Sequence, residues 1–489
     1  MMRMRLFAFP LVVLLPASLL GAEPGKDAKE SAGPKQVSYY KDVRPIFQQN
    51  CQGCHQPAQP KGGYVMTDHA GLLKKGESDK PPIVPGKPDQ SNLLAMLHVK
   101  DGKSEMPKGK DPLPDYQVKL ISDWIAQGAA DDTPMSAKTL AVDQEHPPVY
   151  ELPPVITAVA FSPDSQMLAV GGYHEVLLHK ADGSGMIGRL VGLAERIQSL
   201  AFAPDGKLLA ACGGDPGRFG EIQIWDVPKQ KLRISIPVTF DTVYGVSWSP
   251  DGTRVAIGCA DNTIRAFDAS TGQQVLFQGA HGDWVLGTAW SLDGTFLVTV
   301  SRDRTVKLTE VATQRFIDNV TSITPGALKG GLAAIDVRPM ANRRTVKRNE
   351  ASGGGELLYN ELLVGGADGQ PRLYKMHRET KRVIGDDANK IREYEKFPGR
   401  VYALAFNKEG NVFVAGSSLD GAGEARVFEV DSGKRVCAFE GVETPVYTAT
   451  FRPDGKAVAT AGFDGTVRLN DPATGKLIKE FVPVPLRKK

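Results

Sequence analysis

The sequence predicts a multidomain chain: a small all-α domain followed by an all-β propeller of seven blades. Three observations carry that expectation. The chain has 489 residues, too many for one compact core. Between about Val37 and Thr133, apolar residues return at helical spacing. Beyond Val155, an apolar anchor with a turn signature recurs, as Phe161-Ser162-Pro163-Asp164, Phe202-Ala203-Pro204-Asp205-Gly206, Trp248-Ser249-Pro250-Asp251-Gly252, Trp290-Ser291-Leu292-Asp293-Gly294 and Phe451-Arg452-Pro453-Asp454-Gly455. Phe406 before Asn407-Lys408-Glu409-Gly410 is a looser copy and Val337-Arg338-Pro339 a degraded one. The anchors are separated by 41, 46, 42, 47, 69 and 45 residues, the period of a four-stranded blade.

Residues 1–22 read as a secretory signal peptide. Arg3 and Arg5 make the positive start, Leu6 to Leu20 is a short apolar run broken by Pro10 and Pro16, and Leu20-Gly21-Ala22 offers the cleavage site. An exported, periplasmic product with no transmembrane segment after cleavage is expected. Residues 23–36 are a polar tether rich in Lys, Gly and Pro, expected to be disordered.

The α domain spans 37–133. Asp42 is expected to cap a helix that turns Val43, Ile46 and Phe47 inward, with Pro45 tolerated in the first turn. Next comes Cys51-Gln52-Gly53-Cys54-His55, the attachment sequence of a c-type haem. One short turn presents two thiols and an imidazole to a single porphyrin face. A zinc site would need two more ligands nearby, and the chain has no second cysteine pair. Ser91 to His98 and a stretch opened by Asp115 and closed by Gly128 predict two more helices, with Phe47 and Trp124 as partners where the terminal helices cross.

Residues 134–154 are a linker with Pro134, Pro147, Pro148, Pro153 and Pro154. In the propeller, 155–485, tight turns at Asp261-Asn262, Asp303-Arg304, Asp368-Gly369 and Asp464-Gly465 separate the middle strands of their units. Cys212, Cys259 and Cys437 are expected to be buried free thiols. Alternation places Cys212 and Cys259 on opposite sides of their strands, against a bridge. The formal charge of +3, which falls to +1 without Arg3 and Arg5, excludes a nucleic-acid binder working through a bulk basic field.

Asp42-Val43-Arg44-Pro45-Ile46-Phe47, Cys51 to His55, Lys61-Gly62-Gly63, Ile83-Val84-Pro85-Gly86, Ser91-Asn92-Leu93-Leu94, Met106-Pro107 and Trp124-Ile125-Ala126-Gln127-Gly128-Ala129 occur in that order. Together they resemble the planctomycete-type cytochrome c domain. The resemblance implies one covalent haem c on Cys51 and Cys54, with His55 and a methionine as axial ligands of the iron; by that pattern the methionine is Met106. Met66, His69, Met96 and His98 are the other nearby candidates. Met96 alternates with leucines, which core packing explains, whereas Met66 and His69 follow the motif closely. The competing reading of Met106 is a solvent-facing loop methionine.

The second half resembles the WD40 repeat family. Trp225-Asp226 is the one true Trp-Asp pair, Phe267-Asp268, Phe428-Glu429 and Asn470-Asp471 are degenerate, and Ala280-His281-Gly282 echoes the family's histidine step once. The family's buried Asp-His-Ser/Thr-Trp network is therefore expected to be mostly absent.

These readings predict an exported electron carrier for a redox partner protein, with the propeller as a protein-docking scaffold. Arg338, Arg343, Arg344, Lys347 and Arg348 form a candidate basic docking patch. The alternative is a redox enzyme whose propeller holds a second cofactor or substrate site; His174, His179, His281 and His377 are its histidines, and they form no ligand pattern. A third reading is a scaffold whose haem is structural or sensory.

Overall fold

The computed structural model describes residues 36–56, 59–134, 142–279, 281–322, 329–339, 345–347, 356–381, 383 and 385–487. The expected signal peptide, nearly all of the tether, part of the linker, and Arg343, Arg344 and Arg348 lie outside the described residues.

The helical part starts at Ser38, whose hydroxyl accepts the Lys41 amide at 2.9 Å while Asp42 reaches back to accept the Ser38 amide at 2.9 Å. Asp42 thus closes the entry to a π-helical turn, Tyr39–Val43, rather than capping a helix that begins after it. Helix α1 (Arg44–Asn50) continues at once, with Pro45 in its first turn. Val43, Ile46 and Phe47 are buried, as their spacing predicts. Helices α2 (His69–Leu73), α3 (Asn92–Leu97) and α4 (Asp115–Ala126) follow. In α4 the buried side chains are Ile121, Trp124 and Ile125, one face of a 3.6-residue period. Phe47 meets Trp124 edge-to-face at 6.4 Å, and Tyr39 stacks on it at 5.4 Å. Strands β1 (His55–Gln56) and β2 (Gln59–Pro60) pair just after the cysteine turn.

The rest is antiparallel sheet. Strands β3 (Val159–Phe161), β4 (Met167–Gly171), β5 (Tyr173–Lys180), β6 (Met186–Phe202), β7 (Leu208–Asp215), β8 (Phe219–Asp226) and β9 (Lys231–Thr239) form a seven-stranded sheet in sequence order. β6 pairs with β5 mainly over its first half and with β7 from Arg196 onward. Five four-stranded sheets follow, over 243–278, 285–319, 332–393, 400–438 and 446–481. The third of these carries an extra hairpin, Thr345–Lys347 with Glu356–Leu358, which accounts for the long step in the repeat.

The recurrent anchors are inner-strand residues, and two tryptophans show why an aromatic with a donor suits the place. Trp248 Nε1 donates to the Ala201 carbonyl at 2.8 Å and Trp290 Nε1 to that of Ser247 at 3.3 Å, each reaching the preceding inner strand. Inner strands touch in succession: β6, Val243–Trp248, Val285–Trp290, Leu332–Val337, Arg400–Phe406, Val446–Phe451, then β3. The Val159 amide donates to Thr448 Oγ1 at 3.2 Å, and that of Ile156 to the Gly462 carbonyl at 2.9 Å. Tyr150 bridges Leu486 in parallel, and its hydroxyl donates to Glu175 at 2.7 Å. Arg189 Nε binds the same buried carboxylate at 2.6 Å and its Nη2 holds the Pro148 carbonyl at 2.7 Å.

All five cysteines are free. Cys212 and Cys259 are buried in one apolar cluster, because opposite faces of successive sheets look toward each other. Cys437 is only half-buried, which corrects the expectation for that thiol; its Sγ lies 3.3 Å from the Pro472 carbonyl. The histidine network forms around His281: Nδ1 is 2.9 Å from Asp303 and Nε2 2.8 Å from Thr299. These bonds hold the Asp303 carboxyl well below the usual carboxylate range, against the opposing effect of burial.

Candidate functional site

The cysteine turn is the C-terminal extension of α1. The Cys51 amide donates to Phe47 O at 2.9 Å, and the Cys54 and His55 amides both donate to Cys51 O at 3.1 Å. This winding gathers Cys51, Cys54 and His55 on one turn. Cys54 is exposed and Cys51 half-buried. Burial pushes the Cys51 thiol up to about 12, with Lys110 of the methionine loop pulling the other way. That loop therefore lies within electrostatic reach of the turn.

His55 Nδ1 sits 3.2 Å from the Tyr64 carbonyl. A proton donated there fixes the tautomer with its lone pair on Nε2, the arrangement of an oriented metal-ligating imidazole. Desolvation lowers the His55 pKa and keeps the ring neutral, the form that ligates. Sequence reasoning misses Tyr64, because a carbonyl partner leaves no side-chain signature.

Around the first domain's apolar core, Cys51, Tyr64, Leu94 and Met106 are half-buried margin residues. Met106 is held by its amide on the Met96 carbonyl at 2.9 Å and by Ser104 Oγ on its own carbonyl at 2.7 Å. The other ligand candidates are placed differently. Met66 is 2% exposed, with its amide on the His55 carbonyl at 2.8 Å. His69 Nε2 lies 2.7 Å from the Ala129 carbonyl, and its ring packs against Tyr39 and Trp124. His98 is exposed and Met96 half-buried. The residue set fits a covalently held haem: two thiols on one turn, a neutral oriented imidazole, and a thioether on the margin of the same apolar cluster.

A second finding concerns Gly53, between the two cysteines. It is buried against β9: a Cβ there would stand 2.7 Å from the Ser235 carbonyl oxygen and 2.9 Å from Pro237 Cδ. α1 and β2 pack on the same strand. The cysteine turn is thus seated directly on the sheet. The clue was a glycine where haem chemistry leaves the residue type open.

The propeller histidines are engaged in structure. His179 Nε2 lies 3.0 Å from the Pro483 carbonyl, His174 Nδ1 2.9 Å from that of Leu193, and His377 packs edge-on to Phe296. Among the described residues no group of three His, Cys, Asp or Glu is placed to hold a metal ion, and no helix is long and apolar enough to cross a membrane. The basic patch loses a member: Arg338 is paired with Glu361 at 2.7 Å and Asp431 at 2.9 Å, so its charge is already answered within the fold.

The family model described as Planctomycete cytochrome C matches residues 51–109. That described as WD domain, G-beta repeat matches 147–178, 188–216, 233–268, 272–309 and 433–471. Protein groucho of Drosophila melanogaster is 32% identical over 123 residues, 24% of this chain and 16% of that protein. A component of chromatin assembly factor 1 of Saccharomyces cerevisiae is 24% identical over 140 residues, 22% of this chain and 29% of that protein. Coronin-7 of Homo sapiens is 31% identical over 91 residues, 18% of this chain and 9% of that protein. The chain spans less than a third of the length of each of these relatives. The chain therefore joins a domain of the planctomycete cytochrome C family to a run of WD40 repeats.

Proposed function

We propose that this chain is an exported c-type cytochrome that carries one covalent haem for one-electron transfer and presents it to a redox partner from a seven-bladed propeller. The observation that carries the reading is the single turn bearing Cys51, Cys54 and His55, with His55 Nδ1 on the Tyr64 carbonyl. When bound, the haem supplies a one-electron iron couple. Cys51 and Cys54 would hold it through thioethers, and His55 Nε2 and Met106 Sδ would ligate its iron. Tyr64 orients the imidazole, and the surrounding apolar cluster excludes water. Seven blades follow if β6 is counted as the last strand of one unit and the first of the next; the Val159–Thr448 bond supports closure of the ring. Export rests on the apolar, positively headed segment 1–22.

The test is expression of the full chain with a cytochrome c maturation system. A denaturing gel should show haem peroxidase activity at the mass of the chain, lost in Cys51→Ala/Cys54→Ala. A colourless band from correctly matured material refutes the assignment.

A further inference from the structure

We propose that the buried carboxyl of Glu221 takes up a proton when the haem site gains an electron and releases it on reoxidation. This rests on the haem reading above. An external one-electron reductant supplies the electron, solvent supplies the proton, and both leave on oxidation.

The geometry places Glu221 directly behind the attachment turn. Gly53 lies against the backbone oxygen of Ser235 and the ring of Pro237. Pro237 is the residue opposite Glu221 in the β8–β9 ladder. The Ser235 hydroxyl donates to Glu221 Oε2 at 2.5 Å. One strand therefore separates the carboxyl from Gly53, one of the two residues between the cysteines.

Glu221 is 1% exposed, and the hydrogen-bond partners it has among the described residues, Ala194, Gln223 and Ser235, carry no charge. Its polar neighbours are donors and acids. From β6 the Ala194 amide donates to it at 2.7 Å, and Glu195 lies next along the strand. β7 contributes Gly213 opposite and Asp215, the charged group that bears on it directly. On β8, Gln223 Nε2 donates to it, and Trp225 Nε1 donates to Gln223 Oε1 at 3.0 Å. β9 supplies Ser235. The first domain's Arg44 acts on Asp215.

Burial favours the neutral acid while three donors favour the anion. The balance raises the carboxyl above its usual range, and a unit change of charge behind one strand bears on it. In a poorly screened interior that influence is felt over a longer range than in water. Asp215, beside it on the same sheet, is likewise raised by burial, to about 6, and its Oδ1 accepts the half-buried Glu195 amide at 3.0 Å.

The experiment is spectroelectrochemistry of the matured full-length protein between pH 5 and 9, beside E221Q and S235A. The wild-type midpoint should fall with rising pH across one window, approaching at most about 59 mV for each tenfold change in proton activity. E221Q keeps an acceptor for Ala194 and should lose the part of the fall that Glu221 supplies; any haem propionate slope common to both proteins cancels in the difference between the two profiles. S235A removes one donor to the anion and should move the window to higher pH without abolishing it. Redox-difference infrared spectra should show a protonated carboxylic acid band in the reduced wild type that E221Q lacks. Covalent haem with parallel wild-type and E221Q profiles overturns the proton coupling alone. Absence of covalent haem overturns the parent reading and the proposal with it.

Discussion

Gly53→Ala is the sharpest probe of how the two parts meet. The added methyl would stand 2.7 Å from the Ser235 carbonyl oxygen, 2.9 Å from Pro237 Cδ and 3.2 Å from Pro237 Cγ. None of these atoms ends a flexible side chain, so rotation gives no relief. Gly53 is not among the positive-φ residues, and alanine costs the turn itself little. The strain therefore falls on the contact between turn and strand. Overpacking of this kind costs about 1–3 kcal/mol. That equals roughly a 5–150-fold shift in a docking equilibrium. Hydrogen exchange of the β9 amides should accelerate by such a factor, while covalent haem attachment persists because the two thiols and the imidazole are untouched. Gly185→Ala, whose added Cβ meets nothing within 4 Å, is the control and should exchange like wild type. Unchanged β9 exchange in the Gly53 variant would refute the seating of the turn on the sheet.

Met106→Ala should abolish the ferric methionine-to-iron band while leaving the haem covalently attached. An unchanged spectrum would move the ligand role to Met66, His69 or another group. Arg189→Ala leaves the fully buried Glu175 carboxylate without its bidentate partner. A loss of about 3–5 kcal/mol is expected in urea unfolding, and a loss under 1 kcal/mol would contradict it. Asp215→Asn tests a raised carboxyl. A folded-state value of about 6, above the ordinary one, makes ionisation a cost to the fold at pH 8 that is relieved as pH falls toward 4. The variant should thus exceed wild type in stability most at pH 8 and match it near pH 4; a pH-independent difference would count against the assignment.

Much of this architecture is legible from local pattern. Helical spacing alone pairs Phe47 with Trp124, and they touch. The anchors from Phe161 to Phe451 are period-two and turn signals, and their strands lie where the pattern puts them. What escapes depends on contacts between residues far apart in sequence, or on a competing local bond. Asp42 looks like a helix cap because nothing in its spacing reveals that Ser38 opens the turn first. Arg338 looks free because Asp431 lies 93 residues away. The opposite-face argument for Cys212 and Cys259 treats each strand alone, whereas facing sheets bring such residues into one cluster. At the site, the motif names its own three side chains; the Tyr64 carbonyl and the seat on β9 come only with the fold.

A sheet's last strand carries peptide groups on its far side that are open to recruitment by another chain. In the sheet ending at β9, α1 and β2 roof that margin. A polypeptide whose N-terminal part fails to form would leave part of β9 uncovered, a strand edge open to templated clumping. Defective molecules would announce themselves by self-association, a property that sorts them from fully folded ones.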